Sequence, residues 1–179
     1  MKLLAPLLLF LSAADPRIPS DLQRPAIQRL MAGFITQFPA YVTWPESAFE
    51  EHPDTLYVGL IGDNPLGAAG QEYLEGRPYR GRTYAVRQLT DEELKPETLR
   101  GYQMLVFGSL DQDQLKKLLK MVKGHPVLTI GETSDFLLSG GIVQFNVQGN
   151  AVTFTVSYRN AQGSGLTLDP RLLTLGMIM

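Results

Sequence analysis

A glycine-bounded loop is the clearest place for ligand chemistry in this sequence of 179 residues. Gly62-Asp63-Asn64-Pro65-Leu66-Gly67 follows an apolar run and precedes a predicted helix. Backbone N–H groups at such a turn can hold an anion, and Asp63 could orient a bound ligand. The same composition is typical of any tight βα turn, because Asp, Asn, Pro and Gly all favour turn conformations. The loop is therefore either a small-ligand site at Asp63, Asn64 and Gly67 or a structural turn.

Other residue types that carry catalysis are sparse or unsuitably spaced. The two histidines, His52 and His125, have no second ligand at metal-site spacing, and there is no cysteine. Glu132 and Asp135 lie close in sequence, but both occupy positions typical of helix caps and first-turn acids. The sequence lacks a GxSxG elbow, a P-loop, an HExxH motif and a GxGxxG motif. It therefore predicts a protein that is not an enzyme and that holds no metal or cofactor.

Composition indicates a globular protein that does not bind nucleic acid. Apolar residues make up 44% of the chain and charged residues 19%, which favours a folded core over disorder. Sixteen basic and eighteen acidic residues give a formal net charge of −2, and no basic run attracts a phosphate backbone. The length is close to the commonest domain size, so we expect one domain.

The amino terminus has the order of a secretory signal peptide. Met1-Lys2 is followed by the apolar run Leu3 to Leu11 and then by Ser12-Ala13-Ala14. This pattern predicts export, with residues 1–14 removed. The alternative is a terminal apolar helix that packs on the domain, since the run is too short to span a membrane. Residues 15–25 are rich in Pro, Asp and Arg and are predicted as a linker, which places the domain at 26–179.

Hydrophobic patterning predicts an α/β domain with a single mixed β-sheet, helices on both faces and an antiparallel hairpin near the carboxyl end. A first helix follows from the i, i+3, i+4 spacing that begins at Ile27, and it should end near Pro39 or Pro45. Strands are predicted at 56–61, 83–89, 104–107, 127–130, 142–147 and 151–158, and further helices at 68–74, 112–123, 134–138 and 171–179. Asp111 is the predicted N-cap of the helix that starts at Gln112.

An ordered set of motifs resembles the YfiR family of bacterial periplasmic proteins. The motifs are Phe38 to Pro45 after the first helix, Tyr57 to Gly67, Gly81-Arg82, Pro126 to Phe145, and Ala161, Gly165-Leu166 and Leu172-Leu173 near the end. The resemblance runs from about Ile27 to Gly176. It departs from the family at Tyr102-Gln103, where members commonly carry a Cys-His pair, so disulfide control does not carry over. Ser157 stands where members have an asparagine, and Asn160 lies nearby.

The resemblance implies a regulatory function. The best understood members bind the periplasmic sensor region of an inner-membrane diguanylate cyclase and repress it, which lowers cyclic-di-GMP and limits biofilm formation. An OmpA-like lipoprotein can sequester the repressor, and members can dimerise. We therefore expect a periplasmic regulator that acts by protein binding. The alternative is a periplasmic small-molecule-binding sensory domain that uses the loops at the carboxyl ends of its strands, including Gly62 to Gly67.

Five residues are candidates for partner contact. Tyr41, Trp44 and Pro45 follow the first helix, and Trp44 is the only tryptophan. Trp44 is either a core side chain or an exposed anchor, since aromatic residues are enriched at interface hot spots. Arg82 and Arg159 are candidate charged contacts, because the planar guanidinium group can bind a carboxylate through two hydrogen bonds.

Overall fold

The structure, a computed structural model, describes residues 20–174 and 177–178. Its helices are α1 (Ser20–Gln37), α2 (Gly67–Leu74), α3 (Pro96–Leu99), α4 (Gln112–Val122) and α5 (Tyr158–Gly163). Its strands are β1 (Val42–Thr43), β2 (Thr55–Ile61), β3 (Pro78–Tyr79), β4 (Arg82–Gln88), β5 (Met104–Phe107), β6 (Leu128–Gly131), β7 (Val143–Gln148), β8 (Ala151–Val156), β9 (Thr167–Leu168) and β10 (Met177–Ile178). Short 3₁₀ helices lie at Phe38–Ala40, Glu46–Phe49, Asp91–Glu93 and Pro170–Thr174.

One mixed sheet dominates the fold. Its eight strands lie in the order β10-β8-β7-β6-β5-β2-β4-β3. Strands β4, β2, β5, β6 and β7 run parallel to one another, and β8 returns antiparallel to β7. Strands β1 and β9 form a separate antiparallel pair. The predicted mixed α/β architecture and its antiparallel hairpin are confirmed.

The sheet carries a core on each face, because side chains alternate along its strands. On β5, Met104 and Val106 join the buried residues of α1 on one face. Leu105 and Phe107 join the buried residues of α4 on the other. This explains why β5 is apolar at every position. Helices therefore cover both faces, as predicted.

Helix α4 begins at the predicted residue, and helix α1 begins earlier than predicted. The Asp111 side chain accepts a hydrogen bond from the Gln114 backbone N–H at 2.8 Å, which confirms the predicted N-cap of α4. Helix α1 begins at Ser20, before the predicted start, so residues 20–25 are helical despite Pro25. The predicted signal peptide and residues 15–19 lie outside the described residues.

The predicted helix at 134–138 is wrong, because residues 134–140 form irregular turns. The cause is Phe136, a fully buried ring between two glycines. A Cβ at Gly131 would lie 2.5 Å from the ring of Phe136, and one at Gly141 would lie 2.2 Å from it. The turns place the Phe136 ring against Gly131 and Gly141, which have no side chains. The local sequence pattern around residues 134–138 does not indicate this packing.

The carboxyl end is the second correction. A helix is predicted at 171–179, but among the described residues of this range the structure has a 3₁₀ turn at Pro170–Thr174 and a strand at Met177–Ile178. Met177 and Ile178 are extended and pair in parallel with Thr155 and Val156 of β8. Pairing with a strand about twenty residues away outweighs the local apolar pattern.

Candidate functional site

A cavity of about 480 Å³ opens where β2 and β4 begin. We call it the Trp44 pocket. Its lining includes Trp44, Phe49, Tyr79, Arg80 and Arg82. The pocket therefore lies at the amino ends of the parallel strands, opposite the Gly62 to Gly67 loop. It combines three residue types, Trp, Tyr and Arg, that dominate binding energy at protein interfaces.

One wall of the pocket is a stack of rings and a guanidinium group. The Arg82 guanidinium lies over the Phe49 ring, 3.9 Å from the ring centroid. Phe49 in turn meets Trp44 edge to face, with centroids 6.3 Å apart. A cation over an aromatic face is attracted by the ring quadrupole. The stack therefore holds Arg82 in place without pairing its charge.

Gln103 fixes the segment that carries Trp44. This side chain is only 4% exposed. Its amide nitrogen donates to the Ala48 carbonyl, and its amide oxygen accepts from the Tyr57 N–H at 2.8 Å. Its backbone carbonyl accepts from the Trp44 indole N–H at 3.2 Å. Gln103 thus ties the Trp44 segment to β2 and β5.

A tight turn presents Tyr79 and Arg82. Strands β3 and β4 pair antiparallel, with Tyr79 opposite Arg82 and only Arg80-Gly81 between them. The φ angles of Arg80 and Gly81 are 48° and 79°. Positive φ at both central residues is the requirement of a type I′ hairpin turn, which glycine meets without strain. The Gly81-Arg82 motif is therefore a turn glycine followed by a pocket residue.

Two hydrogen-bond donors of the pocket have no partner among the described residues. They are the Tyr79 hydroxyl and the Arg82 Nε, and both atoms are buried. A buried donor without an acceptor costs about 1–3 kcal/mol. Tyr79 and Arg82 both line the same cavity, so a small shift of either side chain toward an acceptor group bound there would relieve that cost. A carboxylate or a backbone carbonyl has the required chemistry.

The structure separates the five predicted contact residues. Trp44 and Arg82 line the Trp44 pocket, and Pro45 is exposed next to it. Trp44 is half-buried and packs against the core, so it has features of both predicted alternatives. Tyr41 is half-buried and packs against the same core. Arg159 lies at a second cavity, which is described below.

In the Gly62 to Gly67 loop, polar groups bond within the turn and the backbone packs closely against α1. The Asn64 amide oxygen accepts from the Leu66 N–H at 3.1 Å. Gly67 has a φ of 58°, and a Cβ there would lie 2.2 Å from the Gln28 side chain. Asp63, Asn64 and Gly67 do not line the Trp44 pocket or the second cavity. A ligand site at these three residues stays a prediction.

The sequence did not predict the roles of the pocket residue Tyr79 or of Gln103, which supports the pocket from outside its lining. Gln103 directly precedes an apolar strand, and a polar residue at that point is a weak signal for a buried hydrogen bond. Tyr79 directly precedes the Arg80-Gly81 turn, which marks a hairpin but not the direction of its side chains. Their roles depend on contacts between segments that are distant in sequence.

Neither a metal centre nor a membrane span is apparent in the described part of the chain. Within residues 20–174 and 177–178, no group of three or more His, Asp or Glu side chains is placed to hold a metal ion. No described helix combines the length and apolar character needed to cross a bilayer.

The chain matches a family model over most of its length. The model is described as YfiR/HmsC-like, and the match covers residues 28–177. This range includes strands β1 to β9, the first residue of β10, and all but the first turns of α1. The family is one of periplasmic regulators of diguanylate cyclase signalling, and it is regulatory rather than catalytic. The matched range and the resemblance found in the motifs agree, and the chain belongs to the YfiR/HmsC-like family.

Proposed function

We propose that this protein binds the periplasmic sensor region of an inner-membrane diguanylate cyclase and represses it, so that cyclic-di-GMP falls. We also propose that residues 1–14 direct its export to the periplasm. The Trp44 pocket is the contact site in this proposal. The observation that carries it is that two residues of one cavity, Tyr79 and Arg82, each have a buried donor without a partner among the described residues, the Tyr79 hydroxyl and the Arg82 Nε.

Those donors favour a partner with an acidic or carbonyl-bearing segment. Arg80 is exposed beside Arg82 and adds a second positive charge to the pocket. Glu46 is the one carboxylate among the lining residues, and it makes no salt bridge within 4.0 Å among the described residues. A carboxylate of the partner would accept from the guanidinium group and lie next to the aromatic stack.

Contacts within the pocket hold its side chains in place, as expected for a binding site. Gln103 holds the Trp44 segment, and the type I′ turn holds Tyr79 and Arg82. Side chains that are already ordered lose little conformational entropy on association. A repressor that acts by occupancy alone needs such a surface and needs no reacting group.

The test is a binding titration of the purified mature protein against the purified sensor region of the host's cyclase. We expect Arg82→Gln to weaken binding about tenfold, because a central arginine contact is worth at least about 1.4 kcal/mol. Tyr79→Phe removes only the hydroxyl and should weaken binding about threefold to tenfold.

Matched controls come from a second arginine–tyrosine pair outside the pocket. Arg77 lies over the Tyr73 ring, 3.8 Å from the centroid, and both residues are exposed. Arg77→Gln and Tyr73→Phe make the same chemical changes and should leave affinity within about twofold. If the native protein does not bind the sensor region, the proposed function is wrong. If it binds and all four variants bind equally well, the function stands and the site is wrong.

A further inference from the structure

A second cavity, of about 570 Å³, lies between α4, α5 and the turn at 138–140. We call it the lysine pocket. Lys116 and Lys120 line it from α4, Lys123 lines it from the position directly after α4, and Arg159 lines it from α5. No Asp or Glu is among its lining residues. Four cations at one cavity stand out in a chain whose formal net charge is −2.

The four cations are not neutralised within the described part of the chain. The salt bridges found there are Arg87–Glu93 and Arg171–Asp169, and neither involves a residue of the lysine pocket. Lys116 and Lys120 are four residues apart on α4, and like charges at this spacing destabilise a helix. A bound anion would offset that repulsion.

The pocket also has an apolar component. Leu119 and Val122 of α4 are buried at its wall. Leu138 lies at the same cavity and is 79% exposed, the most exposed large apolar side chain of the described residues. The hydroxyls of Ser139 and Ser164 add neutral donors to the lining. A ligand that fits carries negative charge at one end and a short apolar body at the other.

The wall opposite α4 is a connected unit. Ser157 caps α5 by accepting from the Asn160 N–H at 3.3 Å. The Asn160 side-chain amide donates to the carbonyls of Leu137 and Gly141, at 3.0 Å and 2.6 Å. Arg159 and the turn that carries Leu138 are therefore held together. The cavity is bounded by two preformed walls, and its volume lies in the range typical of small-ligand sites.

From this arrangement we propose that the lysine pocket binds a small organic oxyanion with at least two negative charges and a short apolar portion. The chemical class is a dicarboxylate or a phosphate monoester. A concave cavity of this volume suits a small molecule better than a flat membrane surface. The proposal does not depend on the cyclase partner, because ligand binding is measured on this protein alone.

The test is calorimetric titration of the mature protein with three probes that share one ring: phenyl phosphate, isophthalate and benzyl alcohol. We expect at least one dianion to bind with a dissociation constant below about 1 mM, more weakly as salt is raised. A preference for phenyl phosphate would identify a phosphate source, and a preference for isophthalate a carboxylate source. The neutral alcohol should not bind.

Charge variants locate the site. Lys120→Gln and Arg159→Gln should each weaken binding of the preferred dianion by about fivefold or more. Lys117→Gln is the matched control, because Lys117 is an exposed lysine on the same helix that does not line the cavity. It should change affinity less than twofold. Melting temperatures check that each variant is folded.

Three results would overturn the proposal. They are no binding of either dianion by the native protein, equal binding of benzyl alcohol, and a loss of affinity in Lys117→Gln that matches the loss in Lys120→Gln.

Discussion

The two ends of the parallel strands differ in how much space they leave. At the carboxyl ends, where open α/β sheets commonly bind ligands, the backbone is closely packed. A Cβ at Gly108 would lie 2.0 Å from the Asp63 carbonyl oxygen, and one at Gly67 would lie 2.2 Å from Gln28. At the amino ends, the Trp44 pocket has a volume of about 480 Å³, and two of its lining residues have buried donors without acceptors among the described residues.

This difference shows that a fold-level rule about ligand sites depends on local packing. The turn chemistry of the Gly62 to Gly67 loop suits an anion, but its groups are engaged with their own segment and with α1. The amino-end loops carry larger aromatic and cationic side chains and leave a cavity. We therefore expect substitutions at the carboxyl end to act on stability and substitutions at the amino end to act on binding.

The largest effect is expected for Gly108→Ala. The added methyl group would overlap the Asp63 backbone, which cannot move without distorting the turn after β2. The free energy of unfolding should fall by about 3 kcal/mol. Urea denaturation followed by circular dichroism measures it.

Gly33→Ala is the control for this change. Gly33 lies within α1, and a Cβ there meets nothing within 4 Å. The same substitution should raise the free energy of unfolding by about 0.5–1 kcal/mol, because alanine favours helix more than glycine does. Equal effects of the two substitutions would show that the carboxyl end is not tightly packed.

Next in size is Gln103→Leu at the amino end. The change removes the side-chain bonds to Ala48 and Tyr57 and leaves two partly buried backbone groups unpaired. The free energy of unfolding should fall by about 2 kcal/mol. Because Trp44 is the only tryptophan, its fluorescence reports the same segment, and its emission should shift to longer wavelength.

Gln162→Leu serves as the comparison, since Gln162 is an exposed residue of α5. It should leave both stability and the emission maximum unchanged. An unshifted Trp44 emission in Gln103→Leu would mean that Gln103 does not hold the Trp44 segment.

Asn64→Ala should have a smaller effect, confined to stability. The substitution removes the bond from the Leu66 N–H to the Asn64 side chain, worth about 1 kcal/mol. Affinity for the cyclase sensor region should stay within about twofold. A larger loss of affinity would move the contact site to the carboxyl end.

The general architecture could be predicted from the sequence because periodicity and caps are local signals. The apolar run at β5 and the Asp111 cap both lie where the pattern indicates. The turns around Phe136 and the pairing of β10 could not be predicted, since they depend on contacts between distant segments. Family membership was likewise readable from the ordered motifs.

The candidate site was predicted only in part, for the same reason. Trp44 and Arg82 stand out by residue type and by the motifs around them. Tyr79 and Gln103 gain their roles from the hairpin turn and from a hydrogen bond across 46 residues of sequence. Arg159 was grouped with Arg82 as a charged contact, and the fold places it at the lysine pocket.

The smallest expected effect concerns pH at the carboxyl end of β4. Hydrogen bonds from the Thr90 backbone and side chain, together with Arg87, hold the pKa of Glu93 below its usual value. The Glu93 carboxylate therefore contributes stability at neutral pH, and this contribution is lost as pH falls through the lowered pKa.

Urea denaturation of the native protein and of Glu93→Gln across the acid range tests this. The native protein should be slightly more stable at neutral pH, and the difference should close in acid. A difference that stays constant with pH would assign the effect to packing rather than to charge.

Site-specific photocrosslinking in the host tests the central claim most directly. A photoreactive p-benzoylphenylalanine at Thr43, an exposed residue of the Trp44 pocket, is compared with the same group at Ser109, an exposed residue at the carboxyl end. We predict that the Thr43 position captures a membrane protein with a periplasmic sensor region and a cyclase domain, and that the Ser109 position does not. Capture of that protein from Ser109 alone would contradict a contact at the Trp44 pocket. Capture from neither position would contradict cyclase binding at either end of the sheet.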